Sequence, residues 1–181
     1  YNWVPTYGYL ISGTRNTTYD AHLLPASGSW PYHQTASQSL QTRGVVKGKW
    51  ANILTTPYGP YGTGTVNIYD DLARVIQTQS NNISGTMDVL NSQYSFTGQL
   101  LVSVTKNQIG TDPEHVLVTR NQYDHMNRLL KIWKNIDNDP ADKLIVTCTY
   151  NELGQLINKQ LGNNLENLVY DYNRRGWMTS I

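Results

Sequence analysis

The chain is poor in cysteine, phenylalanine, charge and long apolar runs, and each shortage excludes something. The single cysteine, Cys148, can form no internal disulfide. It lies in the apolar run LIVTCTY, where a thiol reads as a small buried hydrophobe rather than a nucleophile. Charged residues are only 15%, with 14 basic against 13 acidic side chains and a net charge of +1. That balance gives no electrostatic footprint for nucleic acid or an anionic membrane. No apolar run approaches the ~20 residues of a spanning helix, so no membrane span is expected. The chain begins at Tyr1 without a methionine and ends inside a strand-like run, so it reads as part of a longer polypeptide.

Constellations for chemistry are equally sparse. The histidines, His22, His33, His115 and His125, show no i, i+4 spacing and none neighbours Cys148, which argues against zinc. Glu114, Glu152 and Glu166 fall in loops or turns, and no segment suggests two carboxylates facing across a cleft. Asp137, Asp139 and Asp142 in NIDNDPAD faintly resemble a calcium loop. The run lacks the glycine at the sixth position and the closing glutamate, and Asp139-Pro140 suits a plain turn. No catalytic residue, metal or cofactor is expected.

What is present favours strands. Neutral polar residues carry the solubility, and Tyr and Trp number 13 and 5 against 1 Phe. Such rings fit pleated surfaces where one end meets water. The main signal is an internal repeat. Five short stretches share a skeleton: YDDLARV (69–75), YSFTGQL (94–100), YDHMNRL (123–129), YNELGQL (150–156) and YNRRGWM (172–178). Their tyrosines, Tyr69, Tyr94, Tyr123, Tyr150 and Tyr172, are separated by 25, 29, 27 and 22 residues.

Each copy lies between strand-like runs, such as LIVTCTY before and QLINKQL after. The fifth position holds Ala73, Gly98, Asn127, Gly154 or Gly176; glycine and asparagine tolerate the left-handed backbone of a tight hairpin. The second position holds Asp70, Ser95, Asp124, Asn151 or Asn173, and Asp or Asn there can bond its own turn backbone. Arg74, Arg128 and Arg174 or Arg175 follow or join the turns and could brace them against Asp70 or Asp124 as exposed pairs. One repeat therefore reads as one β-hairpin, with each tyrosine packing on the next hairpin. The flanks do not alternate cleanly, since RLLKIW and LIVTCTY carry successive apolar residues. Short runs, frequent β-branching and regular glycines still favour strands over helices.

The expected fold is all-β: consecutive antiparallel hairpins forming a curved open sheet. Residues 61–181 would be the hairpin array. Residues 1–60, with most prolines and the clusters PTYGY and TPYGPYG, would form an irregular part packed with it as one unit. Within that part, RGVVKGKWANIL (43–54) reads as a further hairpin around Gly48. The tryptophans Trp3, Trp30, Trp50, Trp133 and Trp177 are dispersed and read as packing anchors. Trp133 and Trp177 are the candidates for stacking on a ligand.

The skeleton Tyr-Asp-x-x-Gly-Arg-Leu, recurring between strands, resembles the YD repeat of the RHS family. YDDLARVIQTQS, YNELGQL and YNRRGWMTSI are similar to the Bacteroidetes-type members, and the resemblance covers about residues 44–181. It implies a large secreted or cell-surface bacterial polypeptide. Its hairpins would build a hollow shell that can enclose a C-terminal toxin or effector. It also implies that the partner of this segment is the remainder of its own chain, together with any enclosed effector. The self-cleaving protease of many members lies beyond the repeats, and no residue here carries it. The alternative is a β-surface that binds a glycan or another surface protein.

Overall fold

The computed structural model describes residue 11 and residues 13–25, 27–53 and 61–181. Trp3, PTYGY and most of TPYGPYG lie outside them. The strands are β1 (Gly48–Ile53), β2 (Tyr61–Tyr69), β3 (Val75–Asn81), β4 (Met87–Tyr94), β5 (Leu100–Asn107) and β6 (His115–Tyr123). They continue as β7 (Leu129–Ile136), β8 (Lys143–Tyr150), β9 (Leu156–Leu161), β10 (Glu166–Val169), β11 (Asp171–Tyr172) and β12 (Met178–Ser180). The first ten form one open sheet in sequence order, each antiparallel to its neighbour, and β11–β12 form a separate hairpin. The described residues include one short 3-10 helix, Asp20–His22, and no helix long and apolar enough to cross a membrane.

A sheet in strict chain order places alternate turns on opposite edges. The five tyrosine motifs connect β2–β3, β4–β5, β6–β7, β8–β9 and β11–β12. Within the large sheet they therefore share one edge. The uneven repeat spacing follows the strand lengths and the loops of the other edge together. The longest separation, 29, spans the longest opposite loop (108–114), and the shortest, 22, spans the shortest (162–165).

Gly48 does not turn the chain. It opens β1 opposite Val66 of β2, and Gly44 takes the left-handed conformation instead, at φ 83°. The sheet thus begins before residue 61, and the first hairpin crosses the expected boundary near residue 60. Within that hairpin Trp50 lies flat over two glycines. A Cβ on Gly62 or Gly64 would come within 2.6 Å of its ring, so this close packing needs residues without side chains.

The broken alternation of the flanks comes from bulges, one in each motif hairpin and a further one at Ile145 where β7 pairs with β8. Every motif hairpin has a register shift at its tyrosine. Tyr69 pairs with Val75 while Ile68 pairs with Gln77, so Ile76 is an extra, bulged residue. The same shift leaves out Leu101, Leu130, Ile157 and Thr179 in the other four. A bulge sets two residues against one and offsets the pleat. Ile76 and Gln77 are accordingly both buried, as are Leu101 and Val102.

The core lies on one face of the sheet, under residues 13–25 and 27–41. In register across β3, β4, β5 and β6 run Gln77, Asn91, Val104 and Val118. The face is thus amide-rich at β3–β4 and apolar at β5–β6. Tyr19 covers the apolar part with Val89, Leu101, Val102, Val104, Val116 and Val118. Its hydroxyl donates to Glu114 Oε2 at 3.0 Å. Burial, followed by that neighbouring carboxylate, pushes its pKa up to about 12. The N-terminal part and the array share this core.

Candidate functional site

Four of the repeated turns line one edge of the large sheet and the fifth closes the separate β11–β12 hairpin, and all five are built alike. In each, the N–H of the fifth residue donates to the carbonyl of the second, and the N–H of the second donates to the carbonyl of the sixth. The fifth residue is left-handed in every copy, with φ of 58° at Ala73, 93° at Gly98, 65° at Asn127, 81° at Gly154 and 79° at Gly176. This is the type I turn with a left-handed closing residue that three-residue hairpin loops favour.

The second residue completes the turn with its side chain. Asp124 Oδ1 accepts the N–H groups of Met126 and Arg128, both at 2.9 Å. Asp70, Asn151 and Asn173 accept the equivalent pairs. Ser95 Oγ accepts one, from Gln99. The other carboxylate oxygen takes the arginine: Arg74 Nε to Asp70 at 2.6 Å and Arg128 Nε to Asp124 at 2.7 Å. These pairs are not the exposed ones expected. The Asp70 and Asp124 side chains keep only 8% and 12% of their exposure, so the surrounding groups shield the charges. Desolvation pushes the Asp124 carboxyl up, but the Arg128 N–H, the Arg128 guanidinium and the Met126 N–H outweigh it. The net effect holds its pKa below the usual carboxylate range. Among the described residues neither Arg174 nor Arg175 pairs with a carboxylate; Arg175 lies 5.8 Å from the Trp177 ring centre.

The tyrosines reach back, not forward. Tyr94 donates to the Val75 carbonyl at 3.1 Å, Tyr123 to Leu100 at 3.2 Å, Tyr150 to Leu129 at 2.9 Å and Tyr172 to Leu156 at 2.9 Å. Each acceptor is the seventh residue of the preceding motif. Tyr69 makes the same bond to Val46, at 2.7 Å. Burial raises the Tyr123 and Tyr150 phenols above their ordinary value.

The sixth residue reaches the other way. Arg74 lies 5.0 Å from the Tyr94 ring centre and donates to the Ser95 carbonyl at 2.9 Å. Arg128 lies 4.7 Å from the Tyr150 ring centre. Gln99 bonds Asn127, and Gln155 approaches the Gly176 carbonyl at 3.5 Å. A Cβ at Gly154 would meet Arg128 Nη1 at 3.4 Å, an ordinary contact, so glycine there answers to its φ of 81° and not to space. Each hairpin is therefore latched to its neighbour by a tyrosine reaching back and a basic or amide side chain reaching forward.

The remaining sequence candidates do not converge. Asp137, Asp139 and Asp142 bond three different partners: His115, Lys143 and Arg120. Among the described residues no three His, Cys, Asp or Glu side chains are placed to hold a metal. Cys148 is buried at 8% exposure, and burial raises its thiol pKa. Trp133 is half-buried in β7 near Lys131, and Trp177 is exposed in the last turn, so the two stand on different hairpins.

Two features escaped the sequence reading. One is a further turn of the same design on the opposite edge, NISGT (82–86). Asn82 Oδ1 accepts the Ser84 and Thr86 N–H groups, and Gly85 has φ 84°. It lacks the tyrosine that marked the others; its Asn-x-x-Gly spacing was the available signal. The other is the set of buried amides Gln77, Gln79, Asn81, Asn91 and Gln93. Their period of two along QTQSN and LNSQ was visible, but polar alternation alone reads as a solvated face.

No family model matches this chain, and no curated protein matches it either.

Proposed function

We propose that this chain is a non-enzymatic wall segment of a large secreted or cell-surface protein of the RHS type. Its hairpins build part of a β-sheet shell, and a shell of this kind can hold a C-terminal toxin or effector away from its surroundings. The observation that carries this reading is the latch between consecutive hairpins. The tyrosine of each motif bonds the motif before it, and the sixth side chain of four motifs reaches the motif after it. The residues that repeat are thereby spent on turns and junctions. Stability in such an array sums over neighbouring units, and one isolated hairpin is marginal in water. Repetition of this kind supports construction rather than a reaction centre.

Cryo-electron microscopy of the complete natural polypeptide that contains this chain tests the reading. The expected particle has a continuous sheet wall around an enclosed volume. A rod or a string of separate domains with no enclosed volume would overturn it.

A second reading, a surface that binds a glycan or a protein, has one observation behind it. Trp30 and Tyr32 meet edge to face at 5.9 Å, and Phe96 donates its N–H to the Tyr32 carbonyl at 3.1 Å. All three rings are exposed. Titration with neutral oligosaccharides, followed by tryptophan fluorescence, is expected to give a saturable change on this reading and none on the first.

A further inference from the structure

We propose that the amide-rich face of β3 and β4 is a binding track for an extended polypeptide backbone, with residues 13–41 of this chain as its resident ligand. The track reads main-chain groups rather than side chains. Gln77 Oε1 accepts the Asn16 N–H at 2.8 Å, and Gln77 Nε2 donates to the Asn16 carbonyl at 2.7 Å. Gln93 does the same to Leu24, accepting its N–H at 2.8 Å and donating to its carbonyl at 2.7 Å. A carboxamide carries one acceptor and a donor group side by side, so it can satisfy both polar groups of one extended residue. Gln79 Nε2 adds the Thr14 carbonyl at 2.9 Å, and Gln93 Nε2 adds the Gln34 carbonyl at 3.1 Å. Gln79 and Gln77 are two residues apart, as are Thr14 and Asn16. Side chains two apart on a strand thus meet alternate residues of a chain laid along them.

Burial makes these contacts specific for a ligand that supplies backbone groups. Gln77, Gln79, Asn91 and Gln93 are 0%, 1%, 1% and 3% exposed. A bare apolar chain laid there would leave several buried amides unsatisfied, which disfavours it. Gln79 Oε1 and Asn91 Nδ2 are buried and unpartnered even with the resident segment in place. The track therefore offers one more acceptor and one more donor than the resident segment uses. The apolar anchoring of the resident segment is confined to Tyr19, with Leu23 and Leu24 partly buried against the same core. Apart from its 3-10 turn, its described residues have no regular structure beyond a single bridge of His33 to Ser95. Tyr19 is the only apolar side chain in its described part that is fully buried.

The test opens the connection without touching the track. A recognition sequence for a specific protease is inserted after Arg43, in an exposed turn between the segment and β1. After cleavage, a fluorescein-labelled peptide of residues 11–41 is exchanged into the nicked protein and followed by anisotropy. The two fragments are expected to stay together, and the labelled peptide to be captured. A peptide N-methylated at Asn16 and Leu24 lacks the two N–H groups that Gln77 and Gln93 accept. It is expected to bind at least tenfold more weakly. A peptide with alanine at every position except Arg15, Asn16, Tyr19, Asp20, Leu23, Leu24 and Gln38 is expected to bind within threefold of the parent. Equal binding of the N-methylated peptide would overturn the proposal. So would loss of the alanine peptide, or separation of the fragments on cleavage. The decisive comparison varies the peptide alone, so misfolding of a variant protein cannot imitate either result.

Discussion

Replacing Asp124 asks whether the repeated turn is a transferable unit. Asp124 accepts three bonds: Met126 N–H and Arg128 N–H at 2.9 Å each, and Arg128 Nε at 2.7 Å. Asp124→Asn keeps the first oxygen but sets an NH2 donor where the second accepted Arg128 Nε, so only the third bond is lost, at an expected cost of ~1 kcal/mol for a partly shielded ion pair. Asp124→Ala orphans both backbone N–H groups as well, and should cost about 2–3 kcal/mol. Arg128→Gln should cost ~1–2 kcal/mol, because it also gives up the contact with the Tyr150 ring. The next motif shows what a repaired pair looks like: Asn151 Nδ2 donates to Gln155 Oε1 at 2.7 Å. The double variant Asp124→Asn/Arg128→Gln transplants that pair. It should therefore cost ~1 kcal/mol less than the two single changes added together. Urea unfolding, followed by circular dichroism in the strand band, measures all four variants, provided their m-values agree. If the single changes add to within ~0.5 kcal/mol, or if alanine costs no more than asparagine, this account of the turn is wrong.

Three further outcomes are expected. The Asp124 pKa is lower in the folded than in the unfolded chain, so the unfolded state binds more protons in acid. The stability it contributes is present above about pH 4 and is lost as the pH falls through its folded value. Urea midpoints measured from pH 7 down to 2.5 should fall less steeply in Asp124→Asn than in the parent. Ala73 holds φ 58° where three of the other motifs hold glycine. Ala73→Gly should therefore raise stability by about 0.5–1 kcal/mol, and Gly154→Ala, at φ 81°, should lower it by ~1–2 kcal/mol, both read from urea midpoints. The Cys148 thiol, buried and raised in pKa, should react with a disulfide reagent at pH 7 at least tenfold more slowly in the native chain than in urea. Equal rates would place it at the surface.

Much of the turn edge was legible because its signals are local. Asp or Asn at the second position and glycine or asparagine at the fifth answer to backbone geometry within five residues. The direction of the tyrosines was not legible. Whether Tyr150 meets Leu129 behind it or the hairpin ahead is a contact between strands some twenty residues apart, which no local signal records. Gly48 misled for a related reason. A glycine between two short runs suggests a turn, but here it lets β1 lie close to Thr65 and Val66, while Gly44 makes the turn.

The sequence by itself determined the element type, the five tight turns and their order along the chain. These follow from residue chemistry acting over a few positions: left-handed tolerance, side-chain capping and β-branched flanks. Only the tertiary structure decided which tyrosine touches which carbonyl, that Ile76 and Gln77 are buried together, and that glutamines line a core. Those outcomes depend on register and bulges, which set the facing of every residue beyond them. They depend equally on a segment some sixty residues upstream, whose backbone supplies the partners that make buried amides stable.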